Sequence, residues 1–195
     1  MKKIIITILV AALLLFCTST VLHNIAEQNA QKEHLWLMQT LLPGSETFVV
    51  EPYGGEDANI VSVHKAENGF VVETLVYGYA DNIRMLTAVN NEGKVTGLVV
   101  LESYETFGLG NEALTDHVFL SQFLNSSGSF EVATHGADAF SAATGTTESA
   151  EGETVEVDGI TGATVTSKAI AKSVNSAVGF VTGADVASSA TTWGG

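Results

Sequence analysis

Hydroxyl side chains crowd one short stretch of this chain. Residues 157–169 read VDGITGATVTSKA, and Thr161, Thr164, Thr166 and Ser167 fall within seven positions of each other. Asp158 precedes them. Gly159 and Gly162 open backbone conformations closed to residues that carry a side chain. Helical spacing follows over Ser167–Val178, where Ala169, Ile170, Val174 and Val178 share a face. Thr166 or Ser167 is placed to cap that helix. The free amide hydrogens of a helix start can face a phosphate. Such a stretch makes either a phosphate site or an ordinary capped turn, and spacing alone does not choose between them. It is not a P-loop, because no Gly-Lys-Ser/Thr ending is present. Lys168 either balances a phosphate charge or is simply an exposed lysine.

A second stretch stands far upstream. Residues 103–110 read SYETFGLG and follow a strand-like run, GKVTGLVV, at 93–100. Read alone, Glu105 and Thr106 do no more than end a strand. Read together, the two stretches resemble the FMN-binding domain family. The flavinylation motif of that family is Asp, any two residues, Ser or Thr, Gly, Ala, then Thr or Ser. Asp158-Gly159-Ile160-Thr161-Gly162-Ala163-Thr164 matches it in full. The family's upstream loop is Glu-Thr-Pro-Gly-Leu-Gly, and Glu105–Gly110 matches it except at Phe107, which stands where proline is usual. The helix after the motif also fits at Asn175 and Ala177.

The resemblance implies an α+β fold with a largely antiparallel sheet and packed helices. It implies FMN held covalently, as a phosphoester to Thr164, by a flavin transferase that uses FAD as donor and recognises Asp158. Glu105, Thr106, Gly108 and Leu109 would then lie toward the ring and ribityl chain. Thr161, Gly162, Ala163, Thr166, Ser167 and Lys168 would surround the phosphate end. Members of the family serve Rnf-type electron transport complexes and sodium-translocating NADH:quinone reductases, and the chain is nearer the former. The implied partners are the other membrane and iron–sulfur subunits of an Rnf-type complex. The implied function is electron transfer in a ferredoxin- and NAD-linked chain coupled to sodium or proton translocation. Two other readings compete: a stand-alone tethered FMN carrier, and an anchored surface protein in which the motif is only a turn.

Charge and cysteine content remove other classes. The chain of 195 residues carries 8 basic and 22 acidic side chains, a net charge of -14. All the acidic residues come after position 23, where six basic residues face 22 acidic ones, a net of -16. That surface repels phosphate backbones, so nucleic acid is no partner. Cys17 is the single cysteine, which excludes an internal disulfide and a cysteine-ligated cluster. Phe16 before it fits lipidation poorly. His64, His117 and His135 lack metal-ligand spacing, and no residue is assigned a catalytic or metal role. No Gly-x-Gly-x-x-Gly fingerprint opens a strand–helix unit, so electrons should come from a protein neighbour rather than from free NADH.

The elements that must hold these residues are ordered simply. Lys2 and Lys3 precede an uncharged run from Ile4 to Leu22, which as a helix would reach about 28 Å, one hydrocarbon core. The positive-inside rule places Met1 in the cytoplasm and the rest outside. A retained single-pass anchor in the cell membrane over 1–23 is expected in preference to a cleaved signal peptide. Residues 24–44 read as a stalk or packing helix ended by Pro43-Gly44, with Ile25, Leu35, Leu37, Met38, Leu41 and Leu42 as its stripe. The FMN-binding domain is expected over 45–182. Strands are predicted at 59–64, 70–79, 82–89 and 94–101, with Asn90-Asn91-Glu92-Gly93 as a hairpin turn. Polar positions should make one sheet face acidic and solvated. A helix is predicted at 111–124 with Leu114, Val118, Phe119 and Phe123 inward. Residues 125–153 are expected to be a mobile insertion, and 183–195 a disordered tail.

Overall fold

A computed structural model describes residues 2–133 and 154–183, without the side chains of residues 2–15 and 17. Two compact units are present, Met1–Leu37 and Met38–Gly195.

The first unit holds most of helix α1 (Lys2–Leu41). Among the described residues no helix is long and apolar enough to cross a membrane. Most of the uncharged run at 4–22 lies outside the described side chains. Of the expected stripe, Ile25 and Leu35 are exposed.

The second unit begins at the last turn of α1. Met38, Leu41 and Leu42 are buried against Val71, Leu86 and Ala88. The Thr96 hydroxyl donates to the Leu41 carbonyl at 2.8 Å, satisfying one of the acceptors a helix end leaves open.

Five strands form an antiparallel meander in sequence order. They are β1 (Val49–Glu51), β2 (Ile60–Lys65), β3 (Gly69–Tyr77), β4 (Asn82–Asn90) and β5 (Val95–Ser103). Four match the predicted strands within about two residues. The β4–β5 hairpin closes where the NNEG signal places it: Asn90 N–H donates to the Lys94 carbonyl, and the Asn90 side chain accepts from Glu92 and Lys94 N–H. The three-residue β1 carries too little pattern to be read.

The sheet is buried on more than one face, contrary to the expectation of a plain acidic face. Val63, Val72, Val76, Ile83, Met85 and Val89 point into the main core. The opposite side is apolar at Val71, Leu86, Ala88, Val99 and Leu101. Near-continuous apolar runs in β3 and β4 require two covered faces. The polar part of that side is a cross-strand network. Arg84 Nη1 lies 2.8 Å from Glu73 Oε1, and the Ser62 hydroxyl donates to Glu73 Oε2 at 2.7 Å.

The predicted helix at 111–124 is broken in two, α2 (Gly110–Thr115) and α3 (His117–Ser121). Asp116 causes the break. Its side chain accepts from Val118 and Phe119 N–H, at 2.8 and 2.9 Å, and so caps α3. The break turns Val118 outward to 68 % exposure, while Leu114, Phe119 and Phe123 stay buried.

The expected mobile insertion is corrected at its start. Strand β6 (Ser129–Ala133) pairs in parallel with β7 (Thr154–Asp158), and Phe130 is buried against Phe123. Five residues with one large side chain resemble their Ser- and Gly-rich surroundings, which hid the strand. Residues 134–153 and 184–195, including most of the expected insertion and tail, lie outside the described residues. Helix α4 (Thr164–Thr182) closes the core, three residues longer at its start than expected. Ala169, Ile170, Val174 and Val178 are buried as the spacing required.

Candidate functional site

The motif segment is held by side chains that substitute for strand partners. The Asn175 amide, buried in α4, donates to the Phe130 carbonyl at 2.9 Å and accepts from Phe130 N–H at 2.7 Å. That pair fixes α4 to β6. The Gln122 side chain does the same at Asp158, accepting from its N–H at 2.9 Å and donating to its carbonyl at 3.2 Å. Asp158 therefore ends β7 with its backbone tied and its residue exposed. Gly159 follows, where an added Cβ would stand 2.5 Å from Val132 Cγ1. Its requirement is close packing against β6.

The turn from Ile160 to Ala163 is closed by Ala163 N–H donating to the Ile160 carbonyl at 2.9 Å. Gly162 has φ 84°, in the left-handed region that a side chain disfavours. Thr164 is the first residue of α4, with Ala163 as its N-cap. The expected caps, Thr166 and Ser167, do not cap. They sit inside the first turn at 1 % and 0 % exposure. Ser167 Oγ accepts from Ile160 N–H at 3.2 Å, and Thr166 Oγ1 donates to Glu105 Oε2 at 2.9 Å. The helix starts at Thr164, three residues earlier than expected, so both hydroxyls fall within its opening turn.

Four neighbouring hydroxyls are thus separated by burial. Thr166 and Ser167 are enclosed and engaged. Thr161 is exposed on the turn, and Thr164 is half-exposed at the helix start. Ala163 offers no side-chain acceptor, and α4 begins without a side-chain cap. Its leading amide hydrogens therefore have no intrahelical acceptor. A phosphate on the Thr164 oxygen fits there, since those amides and the helix dipole favour an anion. Lys168, one turn on, is half-buried and forms no ion pair with a described carboxylate.

The upstream loop reaches the same place. Glu105 follows β5, and its bond to Thr166 joins residues 61 apart in sequence. Its other oxygen accepts from Tyr79 N–H at 2.8 Å and Ala80 N–H at 3.2 Å. The Glu105 carboxylate is thus occupied by protein donors. An added Cβ on Gly162 would stand 3.2 Å from Leu109 Cδ2, which sets that leucine beside the motif turn. Thr106 accepts through its carbonyl from Leu109 and Asn111 N–H, closing the loop. Gly108, with φ 85°, turns the chain within it.

Large apolar side chains stand exposed around this junction. Phe107 is 92 % exposed, and Tyr79, Tyr104, Leu109 and Val165 are also accessible. No core packing accounts for an exposed phenylalanine, and a planar aromatic cofactor fits such a surface. Tyr104 Oη donates to Glu102 Oε1 at 2.9 Å. That hydrogen bond, with the Glu102 charge and the more distant Asp81 charge, raises the phenol above its ordinary value. Sequence reasoning gave Tyr104 no separate role, and its one signal along the chain is adjacency to the Glu105 motif.

An antiparallel sheet, the helix α4 and a loop joined to it by one carboxylate make up the module that carries both motifs. The model of the FMN-binding domain family matches residues 78–179, and the chain belongs to that family. Among curated proteins it is similar to the G subunit of the Na(+)-translocating ferredoxin:NAD(+) oxidoreductase complex of Acetobacterium woodii. The two are 35% identical over 111 residues, 56% of this chain and 47% of that protein. It is also similar to the G subunit of the proton-translocating ferredoxin:NAD(+) oxidoreductase complex of Clostridium ljungdahlii. Identity is again 35%, over 113 residues, 58% of this chain and 53% of that protein. The matched stretch spans about half the length of each relative.

Proposed function

We propose that the chain is the flavin-bearing electron-transfer subunit of a membrane complex of the ferredoxin:NAD oxidoreductase type. FMN is its cofactor, joined to Thr164 as a phosphoester. The observation that carries this reading is the Thr166–Glu105 hydrogen bond. It brings both family motifs to one point and leaves Thr164 accessible at an uncapped helix start.

In attachment, the Thr164 oxygen displaces at the FMN-side phosphorus of FAD. The Thr164 O–P bond forms, the bond to AMP breaks, AMP leaves and the hydroxyl proton is lost. A flavin transferase performs this step and recognises Asp158, whose exposed position at the end of β7 suits contact with another protein. Once attached, FMN supplies one- and two-electron transfer. The chain's own residues do the rest. The amides at the start of α4 and Lys168 hold the phosphate, with Thr161, Gly162 and Ala163 shaping the turn. Thr106, Gly108 and Leu109 carry the loop that faces the ring, and Phe107 and Tyr104 offer it apolar surface.

The other subunits of an Rnf-type complex supply and accept the electrons. The chain is anchored by the uncharged run at 4–22, and Lys2 and Lys3 keep its start cytoplasmic, so the flavin domain stands outside the membrane. Both the anchor and the shared complex rest on sequence pattern and on the relatives' names.

The test is an intact mass of the denatured protein, purified from membranes after expression with the transferase. One covalent FMN per chain is expected. A colourless protein of unmodified mass would remove the reading.

A further inference from the structure

Glu105 has more partners than the end of a strand needs. Oε1 accepts from the Tyr79 and Ala80 amides, just past β3, and Oε2 accepts from the buried Thr166 hydroxyl in the first turn of α4. Two glycines make room for it. A Cβ on Gly78 would collide with Oε1, and one on Gly110 would stand 2.5 Å from Oε2 and 3.0 Å from Thr166 Oγ1. One carboxylate therefore ties together three segments: the β3–β4 turn, the loop after β5 and the start of α4. Hydrogen bonds to an ionised acceptor are stronger and more directional than neutral ones. Thr164, two residues before Thr166, is carried by that turn.

We infer that Glu105 is a positioning residue, whose carboxylate sets the placement of the Thr164 hydroxyl against the 104–109 loop without touching the flavin phosphate. This rests on the function proposed above. It changes what Glu105 does there: it holds the acceptor helix in register and leaves the ring to its neighbours. Misplacing a reacting oxygen by a fraction of its bonding distance slows a displacement reaction steeply.

The test uses the full chain expressed with the transferase, with attachment followed over time by intact mass. Thr166→Val should slow attachment roughly tenfold, as loss of one bond to a charged acceptor implies, and Glu105→Ala, which removes all three bonds of the carboxylate, at least as much. Thr166→Ser, which keeps the hydroxyl, should restore the rate toward wild type. The double variant Glu105→Ala/Thr166→Val should be little slower than Glu105→Ala alone, because the Thr166 bond is already lost in that single variant. Attachment by Glu105→Ala at the wild-type rate overturns the inference, as does a fully additive double variant.

A second measurement does not depend on flavin. In the Thr164→Val chain, amide hydrogen exchange at Tyr79, Ala80, Ala163 and Ser167 should quicken when Glu105→Ala is added. Unchanged protection at those four amides overturns the clasp whatever the mass result. A wild type that never acquires flavin, with exchange responding as expected, instead overturns the proposed function and the positioning role with it.

Discussion

At the scale of single residues, the site is decided by which hydroxyls remain accessible. Thr166 and Ser167 are enclosed, and of the accessible Thr161 and Thr164 the proposed attachment takes Thr164, by its position relative to Asp158. Thr164→Val keeps the shape and removes the nucleophile. Peptide mass spectrometry should find no flavin phosphoester anywhere in that variant, and Thr164→Ser should keep some. A modified Thr161 in either protein would move the assignment. Tyr104 gives a second prediction. Its phenol is raised, chiefly by the Glu102 hydrogen bond and charge. Ultraviolet titration should find the Tyr104 phenolate forming at higher pH than an unhindered tyrosine. Glu102→Gln, which removes the charge, should bring it down. The sign for stability follows: the folded state favours the protonated phenol, so any contribution is present below the ordinary tyrosine value and lost as pH rises past the raised one.

Elements carry the next set of causes. The turn into α4 depends on Gly162 at φ 84°. Gly162→Ala should cost about 1–2 kcal/mol from the left-handed backbone alone, and would press on Leu109 besides. Thermal unfolding should read the loss, and attachment should slow in the same variant. The split between α2 and α3 depends on Asp116. Asp116→Ala leaves the Val118 and Phe119 amides without their acceptor and should cost about 1 kcal/mol, the usual value for a lost cap. Attachment should be unaffected, since the bonds of the Asp116 side chain go to the first turn of α3 and not to the motif. Strands β6 and β7 matter beyond their length. They pair with each other although residues 134–153 separate them in the chain, and through Asn175 and Gln122 they fix both α4 and the end of the motif strand.

For the molecule as a whole, the prediction concerns topology. A reporter fused after Gly195 should be active only outside the cytoplasm, and detergent rather than salt or alkali should be needed to release the chain. Activity from a cytoplasmic reporter would overturn the orientation. The antiparallel strands, the hairpin at Asn90–Gly93, the helix after the motif and the family were all legible along the chain, because they rest on local periodicity and on residue types at fixed spacing. Where that helix begins was not legible, nor that Asp116 divides the helix before it, nor that β6 interrupts a Ser- and Gly-rich stretch. Those depend on partners distant in the chain, for which a local pattern has no signal. The role of Glu105 is the clearest case. Its residue type and neighbours mark it as part of a loop motif, and folding alone placed its carboxylate between Tyr79 and Thr166. A hydrogen bond of 2.9 Å between residues 61 apart forms only where the folded sheet brings both ends together, and no spacing along the chain encodes that distance.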